Sequence, residues 1–240
     1  MIDISLEKLL ESGAHFGHQT KRWNPKMSDY VYGVRDGVYI FDLIKTKALM
    51  EQALNVLSEA SKSKKTILIL GTKKQAKDKV KEIAKETGIF FIDQRWLGGT
   101  FTNFNQVKAS VDTLNKLKKD LSEGVYASYT KKERLLLDRK AEKLEKMVGG
   151  LNGMTSKPDL MIIVDTKRES SAVNEARKLG VETIGIVDTN SDPNLVNWPV
   201  PMNDDSPQAL ELVLNYIKEA ILEGKQSKET KVKKAKTAKK

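Results

Sequence analysis

LMIIVDTKRESSAVNEARKLGVETIGIV, residues 160–187, decides the fold. It opens on Leu160–Val164, an apolar run without polar alternation, as a strand covered on both faces requires. Thr166-Lys-Arg-Glu169 follows and reads as a capping box at a helix start. Ala172, Val173, Ala176 and Leu179 then fall on one helical face, and Gly180 stops the helix. A second apolar run, Thr183–Val187, completes a strand–helix–strand unit whose joints are only a few residues long. Short joints of this kind go with parallel strands and a crossover helix.

The same unit recurs upstream. Thr66–Leu70 is an apolar run, Thr72-Lys-Lys-Gln75 a capping box, and residues 73–87 set Ala76, Val80, Ile83 and Ala84 on one face. Gly88 ends that helix and Ile89–Ile92 is the next run. Val38–Leu43 is a candidate fifth strand, residues 45–62 have helical spacing, and Ser206-Pro207 marks one more helix start. The expected class is α/β, a parallel sheet covered by helices on both faces. Residues 103–150 break the rhythm. Val107, Val111, Leu114, Leu117 and Leu121 form one narrow apolar stripe; Leu137, Ala141, Leu144 and Val148 form another; Thr130-Lys-Lys-Glu133 caps the second. Two antiparallel helices inserted as a hairpin fit this pattern. The division is therefore 1–102 with 151–224 as the sheet domain and 103–150 as the hairpin. Residues 225–240 form a lysine-rich tail with no apolar face, expected to be disordered.

Charge is unevenly spread along the 240 residues, whose net value is +10. Residues 46–102 carry eleven basic and six acidic groups, residues 103–150 eleven and seven, and the last sixteen residues eight lysines and one glutamate. Residues 151–224 reverse the sign, with six basic and twelve acidic groups. A polyanion would be drawn to the middle and the tail. The chain has no cysteine, which excludes disulfides, thiolate metal sites and cysteine nucleophiles. No apolar run approaches 18 residues and the N-terminus lacks a secretory pattern, so a cytoplasmic protein off the membrane is expected.

Enzyme signatures are weak. Gly71-Thr-Lys-Lys-Gln75 sits where a phosphate loop would sit but lacks the glycine spacing that cradles a nucleotide. His15 and His18 are too few for a metal site, and Ser170 and Ser171 have no nearby histidine. Asp165, Asp188, Asp192, Asp204 and Asp205 suit Mg²⁺ by type, but turn and cap roles explain them more simply. No cofactor, metal or small-molecule substrate is expected.

Three glycine-containing segments stand out instead. GAHFGHQTKRWNPKM, residues 13–27, holds Lys21, Arg22, Trp23 and Lys26; Gly33–Gly37 holds Arg35; QRWLGGTFTNF, residues 94–104, holds Arg95, Trp96 and Asn103. Three of the seven arginines lie in these segments. Cations interleaved with aromatic rings suit RNA, the cations on phosphates and the rings on exposed bases. The alternative is that the rings merely anchor the loops. Lys73 and Lys74, at the start of the helix after Gly71, complete the candidate set.

LLESGAHFGHQTKRWNPKM with Asp42-Leu-Ile-Lys-Thr46, GTKKQA, QRWLGGTFTNF, and PDLMIIVDTKRESSAVNEARKLGVETIGIVDTNSDPN together resemble the bacterial-type small ribosomal subunit protein two family, from about residue 3 to residue 223. The resemblance implies a flavodoxin-like domain with an inserted helical hairpin and a ribosome-bound place between head and body of the small subunit. It also implies contact with small-subunit rRNA around Lys21, Arg22, Trp23, Arg95 and Trp96, and help in recruiting neighbouring proteins, including the large mRNA-binding protein one of that subunit. Two rivals stay open: an α/β enzyme using GTKK as a phosphate site, and a docking platform using the hairpin or the acidic 151–224 region.

Overall fold

The computed structural model describes residues 2–237, with side-chain surroundings for residues 2–226. Five parallel strands build the main sheet: β4 (Ile67–Leu70), β5 (Phe90–Ile92), β6 (Leu160–Val164), β7 (Glu182–Val187) and β8 (Trp198–Pro201). Their order, β5-β4-β6-β7-β8, is that of a flavodoxin-like doubly wound sheet. A separate antiparallel sheet, β1-β3-β2, is made by β1 (Phe16–Gln19), β2 (Val31–Arg35) and β3 (Val38–Phe41).

Two strand expectations change. Val38–Leu43 does form a strand, but in the antiparallel sheet, where β3 pairs with both β1 and β2. The fifth parallel strand is β8, which carries Pro199 and Pro201 and pairs only with β7. Proline donates nothing to a ladder and so is tolerated at an edge. That composition hides the strand from a reading based on apolar runs.

Alternate residues of the central strands enter opposite cores. Ile67, Ile69, Ile162 and Val164 face one core with α2 (Leu43–Lys62), α3 (Lys77–Thr87) and α7 (Pro207–Thr237). Leu68, Leu70, Met161 and Ile163 face the other with α6 (Ser170–Lys178). The short α1 (Leu6–Glu11) joins the first core through Leu9. The hairpin helices are α4 (Phe104–Ser122) and α5 (Lys131–Val148). Their root is continuous with the second core: Val107, Val111, Leu114 and Val148 are buried within it. Further out only the seam is covered, by Leu117 and Ala141, while Leu135 and Leu136 are exposed.

One expected capping box forms: Thr130 accepts from the Glu133 backbone N–H, and the Glu133 carboxylate accepts from that of Thr130. The other two do not. Helix α3 begins only at Lys77, and the Thr72 hydroxyl donates to the Glu169 carboxylate on the neighbouring loop. A tertiary bond between adjacent strand ends thus consumes a residue from each expected box. The tail expectation, residues 225–240, falls largely outside the described side chains; the backbone of α7 extends to Thr237.

Candidate nucleic-acid interface

In a doubly wound sheet, ligands meet the carboxyl ends of the strands. Here that end gathers the singled-out segments. Residues 13–27 dock on the loop after β7: the Asn24 N–H donates to Thr189 O at 2.7 Å and the His18 N–H to Thr189 Oγ1 at 2.8 Å. His18 Nδ1 lies 2.9 Å from Asp188 Oδ1, and Lys26 Nζ 2.5 Å from Asp192 Oδ2. The Thr20 N–H donates to Gly37 O at 3.0 Å, which brings the Arg35 turn beside Lys21 and Arg22. Lys73 and Lys74 follow β4, and Arg95 follows β5.

The QRWLGGTFTNF loop is built around one carboxylate. Glu175, on α6, accepts from Trp96 Nε1 (3.1 Å) and from the backbone N–H groups of Gly99 (2.7 Å), Phe101 (2.9 Å) and Thr102 (3.2 Å). Burial acts to raise the pKa of its carboxyl, but these donors pull it below the ordinary range. The Trp96 and Phe101 rings meet edge to face at 4.8 Å. Gly99 takes φ +91°, a conformation side chains resist, and this turns three donors inward. Trp96 is 6% exposed, its rings enclosed by protein. Arg95, next to it, is exposed and has no side-chain partner among the described residues.

Lys73 also faces inward. It is 8% exposed, and its ammonium lies 2.6 Å from Asp204, 2.6 Å from Asp205 and 3.4 Å from Asp165. Burial acts to lower its pKa, yet the surrounding carboxylates hold it well above the ordinary lysine range. Asp204, buried and facing Asp188 and Asp165 as well, is pushed up to about 7. The place where such a sheet would receive a nucleotide phosphate is thus filled by an internal ion-pair cluster. Its excess carboxylates repel an anion, which argues against the phosphate-site rival. Among the described residues no cluster has the geometry of a metal site.

Around this plugged centre lie free cations. Lys21, Arg22, Lys74 and Arg95 are exposed and, among the described residues, have no carboxylate within ion-pair distance. Arg35 is exposed, with Asp36 3.9 Å away. Trp23 is half-buried and stacks on Tyr39 at 4.5 Å, so one face of its indole is already used. Asn103 is exposed at the start of α4 and makes no capping bond.

Residues 9–224 match the family model described as Ribosomal protein S2. The chain belongs to that ribosomal protein family. It is 46% identical over 232 residues to the small ribosomal subunit protein uS2 of Geotalea uraniireducens (strain Rf4), covering 97% of this chain and 91% of the relative. It is 47% identical over 229 residues to the protein of the same name from Dictyoglomus thermophilum (strain ATCC 35947 / DSM 3960 / H-6-12), covering 95% and 93%. Membership makes the chain a structural ribosomal component and not an enzyme. No helix among the described residues is long and apolar enough to cross a membrane.

Two residues that matter here escaped the sequence reading. Glu175 looked like one more polar position on a helix, because its five donors come from a segment more than seventy residues upstream. Arg168 stands after β6 as Lys74 stands after β4, in the parallel strings Thr166-Lys-Arg-Glu169 and Thr72-Lys-Lys-Gln75. That repetition was the available signal.

Proposed function

We propose that this S2-family protein binds small-subunit rRNA with the cations at the carboxyl end of its parallel sheet. Lys21, Arg22, Lys26, Arg35, Lys74 and Arg95 carry the contact, with Asn103 beside them. The observation that carries this reading is that Lys21, Arg22, Lys74 and Arg95 stand exposed, with no ion-pair partner among the described residues, beside the loops that Glu175 and the Lys73 cluster tie together. Such cations position a protein on a sugar–phosphate chain and read little sequence. Trp96 and Lys73 hold the loops in shape. Arg95→Ala weakens rRNA association with little change in melting temperature; a large loss of stability instead would make Arg95 a structural residue.

The protein also docks neighbouring small-subunit proteins, including the large mRNA-binding protein one. A specific feature favours this second role. Leu6, Leu10, Tyr32 and Ile44 are exposed around a shallow cleft between α1, the antiparallel sheet and the start of α2. Replacing Leu10 and Ile44 by Ser is expected to reduce incorporation of that neighbour into particles while leaving rRNA association unchanged.

A further inference from the structure

Resting on the rRNA reading above, we infer that Arg168 is a pre-positioned phosphate clamp, held in place by the Thr72–Glu169 pair. Arg168 Nε donates to Thr72 Oγ1 at 3.0 Å, and that hydroxyl donates in turn to the buried Glu169 carboxylate. The guanidinium is therefore anchored at its inner nitrogen. Its side chain is 55% exposed, and among the described residues only its Nε is hydrogen-bonded. An arginine presents its remaining donors as a planar fork that matches two phosphate oxygens. Anchoring the inner nitrogen fixes the plane of that fork before any ligand arrives, so less freedom is lost on binding.

Burial pushes the Glu169 carboxyl up, the Thr72 hydroxyl and Arg168 pull it down, and the balance leaves it raised. Arg168 stands two residues before α6, beside the N-cap Glu169, and its backbone N–H donates to Asp165 Oδ1 at 2.9 Å. Lys74 and Arg95 follow the next two strands along the sheet and extend the same cationic row.

The test uses the full-length protein and an in vitro transcript of small-subunit rRNA, titrated across a range of salt, with melting curves for each variant. Arg168→Ala is expected to weaken binding about tenfold or more and to lower the log–log salt slope by roughly 0.7–0.9. Arg168→Lys keeps the slope but recovers little affinity, because an ammonium lacks the fork. Thr72→Val weakens binding in the wild-type background and has no further effect in Arg168→Ala, whereas Thr72→Ser retains wild-type binding. Wild-type affinity in Arg168→Ala, or full rescue by Arg168→Lys, overturns the clamp while leaving rRNA binding intact. If the wild-type protein shows no salt-dependent binding, and Arg95→Ala is indistinguishable from it, the rRNA reading fails and the clamp with it.

Discussion

Glu175 shows how one side chain on a helix can shape a loop far from it in sequence. A carboxylate satisfied by several backbone N–H groups stabilises strongly, and removing it leaves those buried donors without partners. Glu175→Gln keeps the size but replaces one acceptor with a donor aimed at other donors. It is expected to lower stability by on the order of 3 kcal/mol, measured by denaturant unfolding. The Lys73 cluster makes a pH prediction. Folded Asp204 holds its proton to about 7, whereas its ordinary value is 3.8. Between those limits the native state binds more protons than the unfolded chain, so this contribution to stability falls as pH rises. His18 acts in the same direction: the Asp188 hydrogen bond raises its pKa above 6.5, and its contribution is lost as pH rises through the raised value. Thermal melts at about pH 5 and about pH 8 should show a smaller drop for Asp204→Asn than for the wild type, with the remainder assigned by His18→Gln.

The hairpin belongs partly to the core and partly to itself. Leu114 is 1% exposed and lies where α4 meets the second core, whereas Leu136 on α5 is 55% exposed. Leu114→Ala is expected to cost about 2–5 kcal/mol and Leu136→Ala less than about 0.5 kcal/mol, as read from unfolding midpoints. A reversed order would mean that the outer hairpin is covered in solution. The narrow stripes were legible because two helices sharing a seam need no wider apolar face. The continuity of the root with the sheet was not, because nothing in a helical repeat says which turns meet a third element. Capping boxes divide the same way. Thr130-Lys-Lys-Glu133 faces solvent and its local bonds have no competitor, whereas Thr72 and Glu169 found each other across adjacent strand ends.

Over the whole molecule, the acidic C-terminal third is not a separate acidic surface. Part of its charge turns inward: Asp165, Asp188 and Asp204 gather around Lys73 and His18, with the exposed Asp205 at their rim, and Glu175 closes a loop. Lys21, Arg22, Lys74 and Arg95 face outward at that end. Replacing Arg22, Lys74 and Arg95 together by Ala is therefore expected to reduce the salt slope of rRNA association by about 2–3, with the melting temperature nearly unchanged. An unaltered slope would move the contact elsewhere. The sequence by itself determined the strand–helix alternation, the parallel sheet, the inserted hairpin and the segments carrying arginine and aromatic side chains. These follow from local periodicity and turn chemistry, which each stretch of chain carries with it. Only the tertiary structure decided that Val38–Phe41 joins a second sheet, that a proline-bearing strand completes the first, and that Trp96 and Lys73 face inward while Arg95 and Lys74 face out. A cation reads the same in sequence whether it meets water or buried carboxylates. The loops that supply those carboxylates come together only when parallel strands align their ends.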